Sequence, residues 1–165
     1  MNERILFAGI DPGASGAMAI LASDGTLVDT YAFDKHEMFV GYGIPSALKH
    51  FLEKHGIKLL CLEKVSAMPK QGVSSTFKFG KGYGMIIGVL ESMGVPHVYV
   101  TPQKWQKKVL AGLTRGDKNV AKDYCRRKYP MKMLLGTERC KVPHSGICDA
   151  ICMAEYIRLT EGETL

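Results

Sequence analysis

The sequence predicts a single α/β domain over residues 1–165. Its predicted core is a mixed five-stranded sheet, an antiparallel meander followed by parallel strands, flanked by helices. Three observations predict this. Three short apolar runs near the start are joined by turn residues, the pattern of antiparallel strands. Further on, β-type runs alternate with helix-length segments, the pattern of parallel strand–helix–strand units. The last helix-length segment is apolar on nearly every side, so it is buried on nearly every side. A length of 165 residues suits one hydrophobic core.

The first run, Ile5 to Ile10, ends at Asp11-Pro12-Gly13 and is almost wholly apolar, which places it at the centre of the sheet. A second run spans Gly16 to Leu21. Asp24-Gly25 is a hairpin signal, and the third strand follows at Leu27 to Phe33. Pro45 opens a helix through about Lys54, with Gly56 as its stop. Ile57 to Leu62 is a β-type run ending at Glu63. A loop rich in Pro, Gly and Ser leads to a helix from Ser75 to Met93, and His97 to Val100 is the last strand. Helices are predicted at Pro102 to Leu110, Lys118 to Lys128 and Gly146 to Leu159. Meander, alternating α and β, then a terminal helix is the order of an RNase H-like fold.

Composition narrows the function. The formal charge of +6 and pI of 9.1 favour a polyanionic partner through counterion release. A hydrophobic content of 46% with 23% charged residues excludes a disordered chain. No apolar run approaches the roughly 18–20 residues that span a bilayer, so no membrane partner is expected. The start, Met1-Asn2-Glu3-Arg4, runs straight into a strand without the pattern of a secretory or transit segment, which points to the cytoplasm. The odd count of five cysteines, most in apolar runs, reads as buried free thiols.

Three acidic residues carry the chemistry. Asp11 and Glu63 each end an apolar strand, where they are either solvated strand ends or partners across neighbouring strands. Asp149 is harder to explain as surface charge. Ile147, Ala150, Ile151 and Ala154 share one helix face, while Cys148, Cys152, Met153, Tyr156 and Ile157 fill most of the rest. A carboxylate in the first turn of such a helix is costly without compensation. The helix N-terminus supplies part of it, and a bound cation would supply more. Three carboxylates on separate elements suit Mg²⁺, which takes oxygen ligands and keeps places for water and phosphate. Two such ions about 4 Å apart can promote phosphodiester cleavage.

These residues sit in blocks that resemble the RuvC-like Holliday-junction resolvases, the phage and chloroplast branch in particular. The first block is Ala8-Gly9-Ile10-Asp11-Pro12-Gly13-Ala14-Ser15-Gly16-Ala17. The second runs from Leu62-Glu63-Lys64 through Met68-Pro69-Lys70-Gln71-Gly72 to Phe79-Gly80-Lys81-Gly82-Tyr83-Gly84. The third is His144-Ser145-Gly146-Ile147-Cys148-Asp149-Ala150, continuing to Ala154-Glu155-Tyr156. Val100 to Trp105, Lys118 and Tyr129-Pro130 match between the second and third, so the likeness covers nearly the whole chain in order. The resemblance implies an RNase H-like fold, a homodimer and two Mg²⁺ ions per site, with Mn²⁺ as a substitute. It also implies paired nicks in opposed strands of a four-way DNA junction, leaving 5′-phosphates, and no organic cofactor. A bacterial or phage-infected cell is the implied setting.

By motif position the resemblance makes Asp11, Glu63 and Asp149 metal ligands. Related proteins carry a fourth acidic residue before the last helix; here His144, Ser145 and Gly146 stand there. His144 is the candidate replacement, as a metal ligand or as a hydrogen-bonding imidazole. It must lie in the preceding loop, because residues five apart on a helix diverge. The plainer alternative is a loop histidine before an N-capping Ser145. Lys118 matches a basic position beside the scissile phosphate, where it would stabilise negative charge.

The candidate DNA contacts are Phe77, Lys78, Phe79 and Lys81, which interleave aromatic and basic groups, and Lys104, Trp105, Lys107 and Lys108, with Lys118. Phe77 and Phe79 read equally as core residues at a helix start, and the lysines as a solvated face. Lys118, Lys122, Arg126 and Arg127 form a further basic stretch. Gly80, Gly84 and Gly88 make a stripe that packs on the sheet, the slightly favoured reading, or on a partner subunit. Cys140, His144, Cys148 and Cys152 recur every four residues, but a single row cannot make the tetrahedron that zinc requires. A kinase-like ATPase would be longer and would carry a phosphate loop of a kind not found here. Another RNase H-like nuclease acting on branched DNA or structured RNA, or a non-catalytic junction-binding protein, remains an alternative.

Overall fold

The first strand, β1 (Leu6–Asp11), lies at the middle of a five-stranded sheet whose order is β3-β2-β1-β4-β5. The computed structural model describes residues 4–33, 44–66, 70, 72–113, 117 and 119–161. β2 (Ala17–Ala22) and β3 (Leu27–Ala32) follow β1 as antiparallel neighbours, while β4 (Ile57–Glu63) and β5 (His97–Val100) add parallel strands on its other side. The Asp24-Gly25 signal forms the β2–β3 turn. Gly25 takes φ +85°, and the Thr26 N–H donates to Asp24 Oδ1 at 2.8 Å.

Helices cover both faces. On one, α1 (Ile44–Lys54) and α2 (Val73–Ser92) enclose Ala8, Ile10, Met18, Ile20, Leu60 and Leu62. On the other, α3 (Pro102–Val109), α4 (Val120–Lys128) and α6 (Ser145–Glu161) pack over Phe7, Ala17, Ala19, Leu21 and Cys61. The two sets alternate along β1, β2 and β4, because successive strand side chains point to opposite faces. α2 begins two residues earlier than the sequence suggests, and a short α5 (Met131–Leu134) after Pro130 had no clear sequence signal. Among the described residues no helix is long and apolar enough to cross a membrane.

α6 is buried along most of its length, as its all-round apolar pattern predicts. It also buries Glu155, only 2% exposed. The Glu155 carboxylate accepts from Arg158 Nε at 2.7 Å, Lys128 Nζ at 2.8 Å and the Tyr124 hydroxyl at 3.3 Å. Desolvation pushes its pKa up, but the bonds to Arg158 and Lys128 outweigh it and hold the group below its ordinary value. Arg158 also donates to the Ser23 carbonyl oxygen, tying α6 to the β2–β3 turn.

Replacing Glu155 with Gln removes the charge and leaves Lys128 and Arg158 facing a neutral amide. Both cations are partly exposed, so solvent screens part of the loss. Urea denaturation is expected to show destabilisation by about 1–3 kcal/mol. Unchanged stability would show that the cluster contributes nothing net.

Candidate active site

Two parallel strands deliver the first two carboxylates. β1 and β4 are in register with Ile10 opposite Leu62, so Asp11 and Glu63 are the next residues on adjacent strands. Ile10 and Leu62 face α1 and α2, so alternation turns Asp11 and Glu63 towards α6. Neighbouring strands stand about 4.8 Å apart, which sets both acids at the same edge.

Two close approaches deliver the third. A Cβ on Gly9 would overlap the Ala150 carbonyl oxygen and come within 2.6 Å of the Ala154 nitrogen. A Cβ on Gly146 would overlap the Ser15 carbonyl oxygen and reach 3.0 Å from the Gly16 carbonyl carbon. The bare backbone at these positions lets α6 lie directly on β1 and seats its first turn on the loop after Asp11. Asp149 is the fifth residue of α6, one turn in rather than in the first turn that the sequence suggests, and is held beside the strand ends.

The charges of the three acids act on one another. Burial, opposed only in part by Lys122, and the negative charges of Asp11 and Glu63 push Asp149 up to about 7. Glu63 is raised by burial and by Asp11, and lowered by its bond from Trp105. Asp11 is raised by burial, while the Gly13 N–H, donating to Oδ1 at 2.9 Å, and a charge on His144 pull the other way. Among the described residues no three His, Cys, Asp or Glu side chains stand close enough to form a finished metal-ligand set. The charge of Asp11 still reaches both Glu63 and Asp149, and that of Glu63 reaches Asp149. As oxygen donors that are half-buried and undercompensated, they fit a hard divalent cation.

His144 lies in the loop before α6. Its carbonyl oxygen accepts from the Cys148 N–H at 3.1 Å and its Nδ1 from the Ile147 N–H at 3.3 Å. It therefore takes the N-cap position in place of Ser145. Nδ1 is thus engaged at the helix start.

The candidate DNA residues divide. Phe77 is 72% exposed and is flanked by exposed Lys78 and Lys81 at the start of α2, while Phe79 is half-buried with its ring stacked on Tyr83, centroids 6.3 Å apart. On α3, Lys104, Lys107 and Lys108 are exposed, but Trp105 is only 2% exposed. Its expected place on a DNA-facing surface is corrected by the structure. Trp105 sits one helical turn before buried Val109, facing the core, and its Nε1 donates to Glu63 Oε1 at 3.1 Å. Lys118 lies outside the described residues. The glycine stripe also departs from expectation, since among the described residues a Cβ on Gly80, Gly84 or Gly88 would meet nothing within 4 Å, and none of the three packs on the sheet.

Three contributors were not singled out from sequence. Gly9 could have been, as an isolated glycine in an otherwise apolar central strand marks a close backbone approach. Lys122 looked like part of a solvated basic face, yet its charge lowers Asp149. Tyr83, whose hydroxyl donates to the Glu63 carbonyl oxygen at 3.2 Å, carried no signal of its own.

No family model matches the sequence, and no curated protein matches it significantly. Solved structures do match. RuvC of Thermus thermophilus, in complex with a Holliday junction substrate, aligns with a TM-score of 0.61 at 19% identity over 97% of this chain and 96% of that one. The yeast mitochondrial Holliday junction resolvase aligns with a TM-score of 0.60 at 12% identity over 94% of this chain and 77% of that one. The fold is RNase H-like. In an RNase H-like sheet of order β3-β2-β1-β4-β5, Asp11 and Glu63 close the two central strands, and Asp149 arrives on the helix laid across them.

Two outcomes follow. A carboxyl whose folded pKa lies above its unfolded value favours folding below the unfolded value, and that contribution is lost as pH rises through the folded one. Without divalent cations, stability is expected to fall between pH 4 and about 7 as Asp149 ionises. The loss is on the order of a few kcal/mol, regained on adding Mg²⁺ or Mn²⁺ and absent in Asp149→Asn. Thermal melts across that range with and without metal check this. Gly9→Ala should push α6 off β1 and destabilise by about 1–3 kcal/mol, with loss of the metal-induced rise in Tm.

Proposed function

We propose that the protein is a divalent-metal-dependent endonuclease that resolves four-way DNA junctions as a homodimer. The observation that carries this reading is the set of three carboxylates at one sheet edge of an RNase H-like fold, each raised by burial and two of them by their neighbours' charge. The resemblance of the sequence blocks and the likeness to two resolvase structures support the substrate. The open face of α2 at Gly80, Gly84 and Gly88 supports a partner helix there.

Asp11, Glu63 and Asp149 would hold Mg²⁺ or Mn²⁺, two ions per site. When bound, the ions neutralise the clustered acids and lower the cost of ionising a water. The chain's own groups do the rest. His144, with Nδ1 engaged by the Ile147 N–H, would use Nε2 toward the metal, the water or the phosphate. Lys122 adds positive charge beside Asp149, and Lys118 is proposed for the scissile phosphate. Phe77, Lys78 and Lys81 on α2, with Lys104, Lys107 and Lys108 on α3, bind the DNA arms through phosphates and an exposed ring.

Incubation of a four-way junction with the protein and Mg²⁺ is expected to give paired, ligatable nicks. A matched linear duplex should stay intact. Asp11→Asn is expected to lower the rate by roughly 10²-fold or more. Cleavage of an RNA–DNA hybrid in preference to the junction would move the reading to a different nuclease. Junction binding without any metal-dependent nicking would make the protein a non-catalytic binder.

A further inference from the structure

We propose that Trp105 is a positioning residue for Glu63: its indole N–H holds Oε1 and thereby fixes which carboxylate oxygen is presented to a divalent cation. This rests on the metal-dependent nuclease reading. The geometry is specific. Trp105 is buried in the core under α6, with the indole Nε1 placed 3.1 Å from Glu63 Oε1. A buried indole N–H needs an acceptor, and this one is met by a carboxylate of the candidate site. Glu63 Oε2 has no hydrogen bond to any described residue. The main chain is held as well. From α2, the Tyr83 hydroxyl donates to the Glu63 carbonyl oxygen at 3.2 Å. Glu63 is therefore fixed from two helices, through its backbone by α2 and through one carboxylate oxygen by α3.

The choice of donor matters. A lysine or arginine in place of Trp105 would fix Glu63 equally well, but its charge would compete with a cation for the carboxylate. An indole N–H orients the oxygen without adding charge. Glu63 pairs in register with Val100 at the end of β5, and α3 begins two residues later, so the topology brings the ring to this carboxylate.

Trp105 is also the only tryptophan in the chain, so its emission reports on this site alone. The test titrates Mg²⁺ and Mn²⁺ into wild type, Trp105→Phe and Glu63→Gln. Tm is followed in all three, and indole emission in the two that retain Trp105. In wild type, emission is expected to change with the same midpoint as the metal-induced rise in Tm, and Glu63→Gln should abolish both. Trp105→Phe should unfold cooperatively and need about 10- to 100-fold more metal for the same rise in Tm. Its nicking should be lost at low metal and partly restored at high metal. A folded Trp105→Phe with the wild-type metal midpoint overturns the proposal, and so does wild-type emission that stays constant while metal raises Tm. If Trp105→Phe does not fold, the emission comparison between wild type and Glu63→Gln decides alone. Wild type that neither binds metal nor nicks the junction removes the nuclease reading and this one with it. Metal binding and nicking preserved in Trp105→Phe removes only the role given to Trp105.

Discussion

The contact on which the site depends is backbone against backbone, where α6 crosses β1 at Gly9. A side chain at that position has nowhere to go, because the Ala150 carbonyl and the Ala154 nitrogen already occupy its space. The helix sinks to the depth of the strand, and its apolar surface is removed from water on all sides. The acid one residue before Ala150 is then carried to the end of the same strand. The third carboxylate is placed by core packing.

That placement runs against electrostatics, and magnitudes show why it holds. Burying a large apolar side chain contributes about 1.5–3 kcal/mol, and α6 buries Ile147, Ile151, Met153 and Ile157 among others. Gathering half-buried acids costs on the order of a few kcal/mol. Packing wins, and the repulsion persists as an unmet demand for positive charge. Glu155, lower on the same helix, makes the contrast plain. Its side chain has almost no exposed surface, yet two cations and a hydroxyl satisfy it and its carboxyl is lowered rather than raised. One helix thus holds a compensated acid that ties elements together and an undercompensated acid at the sheet edge.

The sheet and the three acids could be read from the sequence because each leaves a local mark. Asp11 and Glu63 punctuate apolar runs, and Asp149 interrupts a helix that is apolar all round. What could not be read depends on which way a helix turns. Trp105 lies among lysines, and composition makes it a DNA contact; only its four-residue spacing from Val109 hints that it faces inward. Glu155 looks like surface charge because its partners come from α4 and from one turn further along α6. The glycine stripe of α2 is symmetric between packing inward and lying open, and only the positions of Ile86, Val89 and Leu90 in the core fix the answer. Pairwise spacing fixes a face, but the neighbour that meets that face is set by tertiary contacts.

The topology also explains how an anionic substrate could approach an anionic cluster. β1, β4 and β5 all run towards the edge that holds Asp11, Glu63 and Val100. The helix that follows β5, α3, therefore begins at that edge, and Gly146 seats the start of α6 there as well. Two helix N-termini, each carrying a partial positive charge of about half an elementary unit and unpaired N–H groups, lie on the acids' side of the sheet. Exposed Lys104 lies in the first turn of α3, and Lys78 and Lys81 are exposed on α2 before Tyr83. Negative charge is gathered at the strand ends, with Lys122 acting on Asp149 and Lys104 on the helix that follows β5. Under the proposed nuclease reading, a phosphate backbone would meet those positive groups first, and only a segment bridged by cations would settle on the acids.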